Sequence, residues 1–180
     1  MERKDVMKYK EISKKPDNLY AESEEVASIA KQLSEYMDTD SFCAQIEKVH
    51  KLNGKSQAIQ SLLEDKLLSL KFASEKKGLF TGCAVPSLRP DFYRKVGKSG
   101  ILVEIERGKT IANNMDLLDL WKCHHCAEAD FLFLIVPCLR ENHRGQVTRI
   151  FDRVEKRMES FFDPIGKNYV NVEAVHLFGY

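Results

Sequence analysis

A chain of 180 residues, 43% hydrophobic and 31% charged, holds one well-packed domain with a short helical extension. No run approaches the roughly 18–20 apolar residues that span a bilayer, and the charged start Met1-Glu2-Arg3-Lys4-Asp5 is not a secretory leader. Five cysteines do not suit a disulfide framework, so membrane and secreted classes drop out and a cytoplasmic, reduced protein is expected. A net charge of +1 argues against a surface that grips nucleic acid all over. It leaves room for a nucleic-acid enzyme whose acidic site offsets its basic contacts.

In chain order, residues 1 to about 20 are lysine-rich and polar, with Pro16-Asp17-Asn18 as a turn signal, and read as an irregular arm. From Ser23, the residues Val26, Ile29, Ala30, Leu33, Tyr36 and Met37 share one helical face. A second helix starts at Asp40-Ser41, buries Phe42, Ile46 and Val49, and stops at Asn53-Gly54. A third, capped by Ser56, carries the stripe Ile59, Leu62, Leu63, Leu67 and Leu70 with Glu64 at its edge.

After Gly78 the period shortens. Leu79 to Val85, Phe92 to Val96 and Ile101 to Glu106 read as three strands of a meander, the last two joined by Gly97-Lys98-Ser99-Gly100. Asn113 or Asn114 then caps a helix with Met115, Leu117, Leu118, Leu120 and Trp121 as its apolar residues. Phe131 to Val136 is a continuous apolar run ended by Pro137, as in a strand buried on both faces. A last helix spaces Val147, Ile150, Phe151, Val154, Met158 and Phe161 at i, i+3, i+4, and Val170 to Phe178 is the closing strand. Such an order predicts a mixed central sheet with helices on both faces.

Two acids stand out by position. Asp91 follows Pro90 at the start of one strand, and Glu104 comes thirteen residues later on the next. Antiparallel pairing brings them side by side, and alternation puts Glu106 on the face of Glu104. Three converging carboxylates repel unless a cation lies between them, and all-oxygen ligands select a hard one, Mg²⁺ or Mn²⁺. A metal so held suits phosphodiester hydrolysis. Arg107 and Lys109 flank Gly108, where the backbone can approach a ligand closely, and either base could steady a phosphate.

Leu88-Arg89-Pro90-Asp91-Phe92 followed by Val103-Glu104-Ile105-Glu106-Arg107-Gly108-Lys109 resembles the PD-(D/E)xK, or restriction-endonuclease-like, nucleases. The resemblance covers roughly Ser56 to Pro137. It implies an α/β fold with an N-terminal arm and helices over 1–54 and a nuclease core over 55–180. It also implies Mg²⁺ (Mn²⁺ as substitute) on Asp91 and Glu104, with Glu64 completing the site from the preceding helix. The substrate would be double-stranded DNA, with Arg89, Arg94 and Arg107 as phosphate contacts. Glu106 occupies the family's lysine position, which makes Lys109 a stand-in and leaves the general base open. The helix Asp116 to His124 is similar to that of small catalytic subunits of heterodimeric type IIS or nicking enzymes, which adds His124 to the site.

Set against these are plainer readings. Pro-Asp is a common turn dipeptide, and Cys123-His124-His125-Cys126 has the spacing of half a zinc site but no second pair, so its cysteines read as packing residues. Arg140, Arg144, Arg149, Arg153, Lys156 and Arg157 are nearly balanced by Glu141, Asp152, Glu155 and Glu159, as on a salt-bridged solvent face. No separate DNA-reading module is recognisable, so a larger sequence-reading partner subunit or a homodimer is expected. The rival to an enzyme is a non-catalytic DNA-binding or assembly subunit that keeps the nuclease fold.

Overall fold

Two apolar periods, 3.6 in the helices and 2 in the strands, set the layers of the molecule. The computed structural model describes residues 7–14, 21–52, 54–162 and 170–180. In chain order the elements are β1 (Lys8–Ser13), α1 (Ser23–Met37), α2 (Asp40–Val49), α3 (Ser56–Ser69), β2 (Ala73–Ser74), β3 (Phe92–Val96) and β4 (Ser99–Ile105), then α4 (Met115–His125), β5 (Phe131–Val136), β6 (Leu139–Glu141), β7 (Val147–Arg149), α5 (Ile150–Glu159) and β8 (Ala174–Gly179).

Six strands form one sheet in the order β1-β8-β5-β4-β3-β2, and β6 and β7 make a separate hairpin. The centre is parallel, β5 pairing with β4 and β8, while β1, β2 and β3 pair antiparallel. Alternation feeds two cores. Ile101, Val103, Ile105, Phe131, Phe133 and Ile135 pack under α1, α2 and α3. Leu102, Leu132, Leu134, Val136, Val175 and Leu177 pack under α4 and α5. Every residue of β5 is buried, as expected for a parallel strand covered on both faces; each such Phe or Leu contributes about 1.5–3 kcal/mol. The mixed α/β sheet flanked by helices is thus the class the sequence predicts. The first core is shared by helices on both sides of position 54. No helix among the described residues is long and apolar enough to cross a membrane.

Several elements differ from expectation. Within the supposed irregular arm, residues 8–13 form β1, in register from Lys8↔Gly179 to Ser13↔Ala174. Only Ile12 of that strand is buried, so its partner rather than its own pattern makes it a strand. The Pro16-Asp17-Asn18 turn signal and Asn53 lie outside the described residues, and α2 already ends at Val49. Its cap is Thr39, whose hydroxyl accepts from the Phe42 N–H at 3.3 Å, and Ser56 is the first residue of α3 rather than its cap.

Residues 79–85 are turns and bends, not a strand; Leu79 and Phe80 are buried in the second core and Cys83 packs against it. The meander's third strand is the two-residue β2, paired Ala73↔Tyr93 and Ser74↔Phe92. Val147 belongs to β7 and is 59% exposed, so α5 starts three residues later. Along α5 the acids do pair outward, Asp152 with Lys8 at 2.6 Å and Glu155 with Lys10 at 3.5 Å.

Candidate active site

Gly97 takes φ 53°, a left-handed value that favours glycine, and tightens the turn between β3 and β4. From Val96↔Ser99 the register runs to Phe92↔Val103. The next step out sets Asp91 opposite Glu104 at the open end of the hairpin. Asp91 Oδ2 accepts the Ile105 N–H at 2.8 Å, and the Gln60 side chain of α3 hydrogen-bonds the same carboxylate. By alternation Glu104 shares the face of Leu102, beneath α4, and is only 4% exposed.

Helix α4 turns two acids inward and two large apolar side chains outward. Asp116, Asp119, Leu120 and Cys123 are buried, whereas Leu118 and Trp121, expected in its apolar stripe, are 49% and 44% exposed. Lys122 Nζ donates to Glu104 Oε1 at 2.6 Å and lies 3.7 Å from Asp119 Oδ1. Asp119 Oδ2 is buried without a hydrogen-bond partner. Asp116 is held through both oxygens by Arg157 of α5, at 2.8 and 3.0 Å. Arg157 also donates to Asn114 Oδ1 at 2.7 Å. Asn114 precedes α4 with φ 54° and makes no side-chain cap bond; its amide serves the arginine instead.

Burial raises the pKa of Asp91, Glu104, Glu106 and Asp119 alike. In Glu104, Glu106 and Asp119 the like charges of the other members push the same way, and Glu106 reaches about 7. Burial pulls Lys122 down, but Glu104 and Asp119 outweigh it and hold the lysine above its usual range. One ammonium thus stands among more carboxylates than it can neutralise.

These residues suit a hard divalent cation by donor chemistry, since all are carboxylate oxygens and one is left without a partner. Among the described residues no three His, Cys, Asp or Glu side chains are arranged to hold a metal ion as they stand. Mg²⁺ needs only one or two carboxylates, with water and phosphate filling its shell, and Asp91 and Glu104 can supply two.

The other expected residues divide. Glu106 joins the cluster electrostatically, and its carbonyl accepts the Tyr180 hydroxyl at 2.8 Å. Glu64 is exposed on α3; one turn earlier, Gln60 is the α3 side chain that meets Asp91. Lys109 is exposed, and the lysine beside the acids is Lys122. His124 lies at the far end of α4, where its Nδ1 accepts the Asn171 N–H at 2.8 Å. Arg94 is engaged with the Leu70 carbonyl and Glu25, both at 2.7 Å, and Arg107 with the carbonyls of Gly54 and Lys51. Arg89 is exposed beside Glu75. Cys123 and Cys126 are buried in the second core. The sequence reading missed Asp119 and Lys122; the i, i+3 acids 116 and 119, on one stripe with Leu120 and Cys123, were the available signal.

A groove of about 570 Å³ opens between the Arg107-Gly108 turn and the β6–β7 hairpin; Lys51, Arg140, Glu141 and His143 also line it.

No protein-family model matches the chain, and no curated protein matches its sequence. Among solved structures it is similar to restriction endonuclease BglII complexed with a DNA 16-mer, at 12% identity and a TM-score of 0.45, over 96% of this chain and 77% of that one.

Proposed function

We propose that this chain is a Mg²⁺-dependent endonuclease that hydrolyses phosphodiester bonds of double-stranded DNA. The observation that carries the reading is the placing of half-buried Asp91 opposite buried Glu104 on adjacent strands, with Lys122 and Asp119 of α4 beside Glu104. Asp91 and Glu104 would hold the ion. When bound, Mg²⁺ supplies phosphate neutralisation and a more acidic water. Glu106, raised to about 7, is suited to take a proton from the attacking water near neutral pH. Lys122 holds the Glu104 carboxylate in the metal-free protein. The groove lined by Lys51, Arg107 and Arg140 is the surface offered to the duplex, with Arg89 as an outlying phosphate contact.

Sequence specificity would come from a larger partner subunit or from a second copy, because no reading module is recognisable among the described residues. The test is cleavage of supercoiled plasmid with Mg²⁺, with chelator, and on Mg²⁺ re-addition, with the cut ends mapped on each strand. Unchanged cutting in excess chelator rejects the metal. Efficient site-specific double-strand cleavage by the protein alone rejects a sequence-reading partner and favours a homodimer. The second reading, a non-catalytic DNA-binding or assembly subunit, draws support from Glu106 in the lysine position; DNA binding with no cleavage under any metal would favour it.

A further inference from the structure

The Lys122–Glu104 contact is short and sheltered, at 2.6 Å with side chains 16% and 6% exposed. An ammonium that close to Glu104 Oε1 competes with a metal ion for the same carboxylate, because the two cations would repel. On the other side of the ammonium, Asp119 Oδ1 lies 3.7 Å away, and Asp119 Oδ2 is buried with no partner. The residue is only 2% exposed, so that oxygen has given up water without gaining a donor, a costly state in a low-dielectric interior. Lys122 and Asp119 are also i, i+3 on one helix, within reach by side-chain rotation alone.

We propose that Lys122 is the site's internal counter-cation. It holds Glu104 in the metal-free protein, and a divalent ion enters by displacing the ammonium from Glu104 onto Asp119, whose open oxygen receives it. The inference rests on the reading that Asp91 and Glu104 hold the metal. It assigns Asp119 a role outside the metal shell, as the second seat of the lysine. Lys122 is then a positioning residue that sets metal affinity.

The experiment is calorimetric titration with Mn²⁺ alone, without DNA, on the wild type, Lys122→Met, Asp119→Asn and the double variant, together with metal-free melting curves. Lys122→Met should melt lower without metal yet bind Mn²⁺ about tenfold tighter, because the competing charge is gone. Asp119→Asn should weaken Mn²⁺ binding several-fold with Lys122 present and much less in the Lys122→Met background, as coupled residues do in a double-mutant cycle. A lysine that only supported the fold would weaken metal binding when removed. Equal or weaker binding by Lys122→Met while the wild type binds overturns the counter-cation and leaves the metal site standing. No binding by either protein overturns both. Should Lys122→Met fail to fold, Lys122→Gln carries the same comparison.

Discussion

Asp91 and Glu104 face each other, yet their neutral isosteres should behave differently. Asp91 receives a backbone N–H, and an asparagine carbonyl can still accept it. Asp91→Asn therefore removes repulsion at little structural cost, and the metal-free melting temperature should rise by a few degrees while Mg²⁺-dependent cleavage is lost. Glu104→Gln should also abolish cleavage, but it removes the charge that the half-buried Lys122 pairs with most closely and should lower the melting temperature, since the ammonium is left uncompensated. Plasmid cleavage and melting in chelator check both; parallel melting shifts would contradict the pairing. The two acids were legible because paired strands convert a thirteen-residue spacing into adjacency. Asp119 and Lys122 were not, because they sit in a leucine-rich helix where apolar residues are the natural choice for the inward face. Here Trp121 and Leu118 face out.

At the scale of elements, the fork from Arg157 to Asp116 joins the first turn of α4 to α5. Asp116 is fully buried, so Arg157→Ala should cost about 3 kcal/mol, seen as a melting temperature lower by roughly 2–4 °C per kcal/mol. Arg157→Lys keeps the charge beside Asp116 but not the second nitrogen that reaches Asn114 and should recover only part of the loss. A melting temperature unchanged in Arg157→Ala would show that the fork does not hold the helices. Elements with a full apolar period, α1, α3 and β5, were readable in outline. The edge strands were not: β1 buries one residue and β2 has two residues, both exposed, so hydrogen bonds to neighbours far along the chain define them.

For the whole molecule, the acidic cluster ties stability to pH. The Glu106 carboxyl is raised from 4.5 to about 7, and Glu104 and Asp119 are raised as well. The folded protein therefore holds more protons than the unfolded chain above pH 4.5, and stability must fall as pH rises through the folded values. Without metal, the melting temperature should drop between pH 7 and 8, and Glu106→Gln should flatten that slope. His176 works in the opposite sense. Burial lowers it to about 4, so its contribution is present above pH 6.5 and disappears as pH falls toward 4. A flat profile from pH 7 to 8 in chelator would refute the cluster's coupling.

The pairing of β1 with β8 has a consequence in time. Tyr9 and His176, bonded at 2.8 Å, are 167 positions apart. On a ribosome β1 would wait until residues 174–179 emerged before it could pair. Loop closure over that distance is slow relative to the local meander of β3 and β4. In pulse-labelled refolding, amides of β3 and β4 should become protected first and those of β1 last.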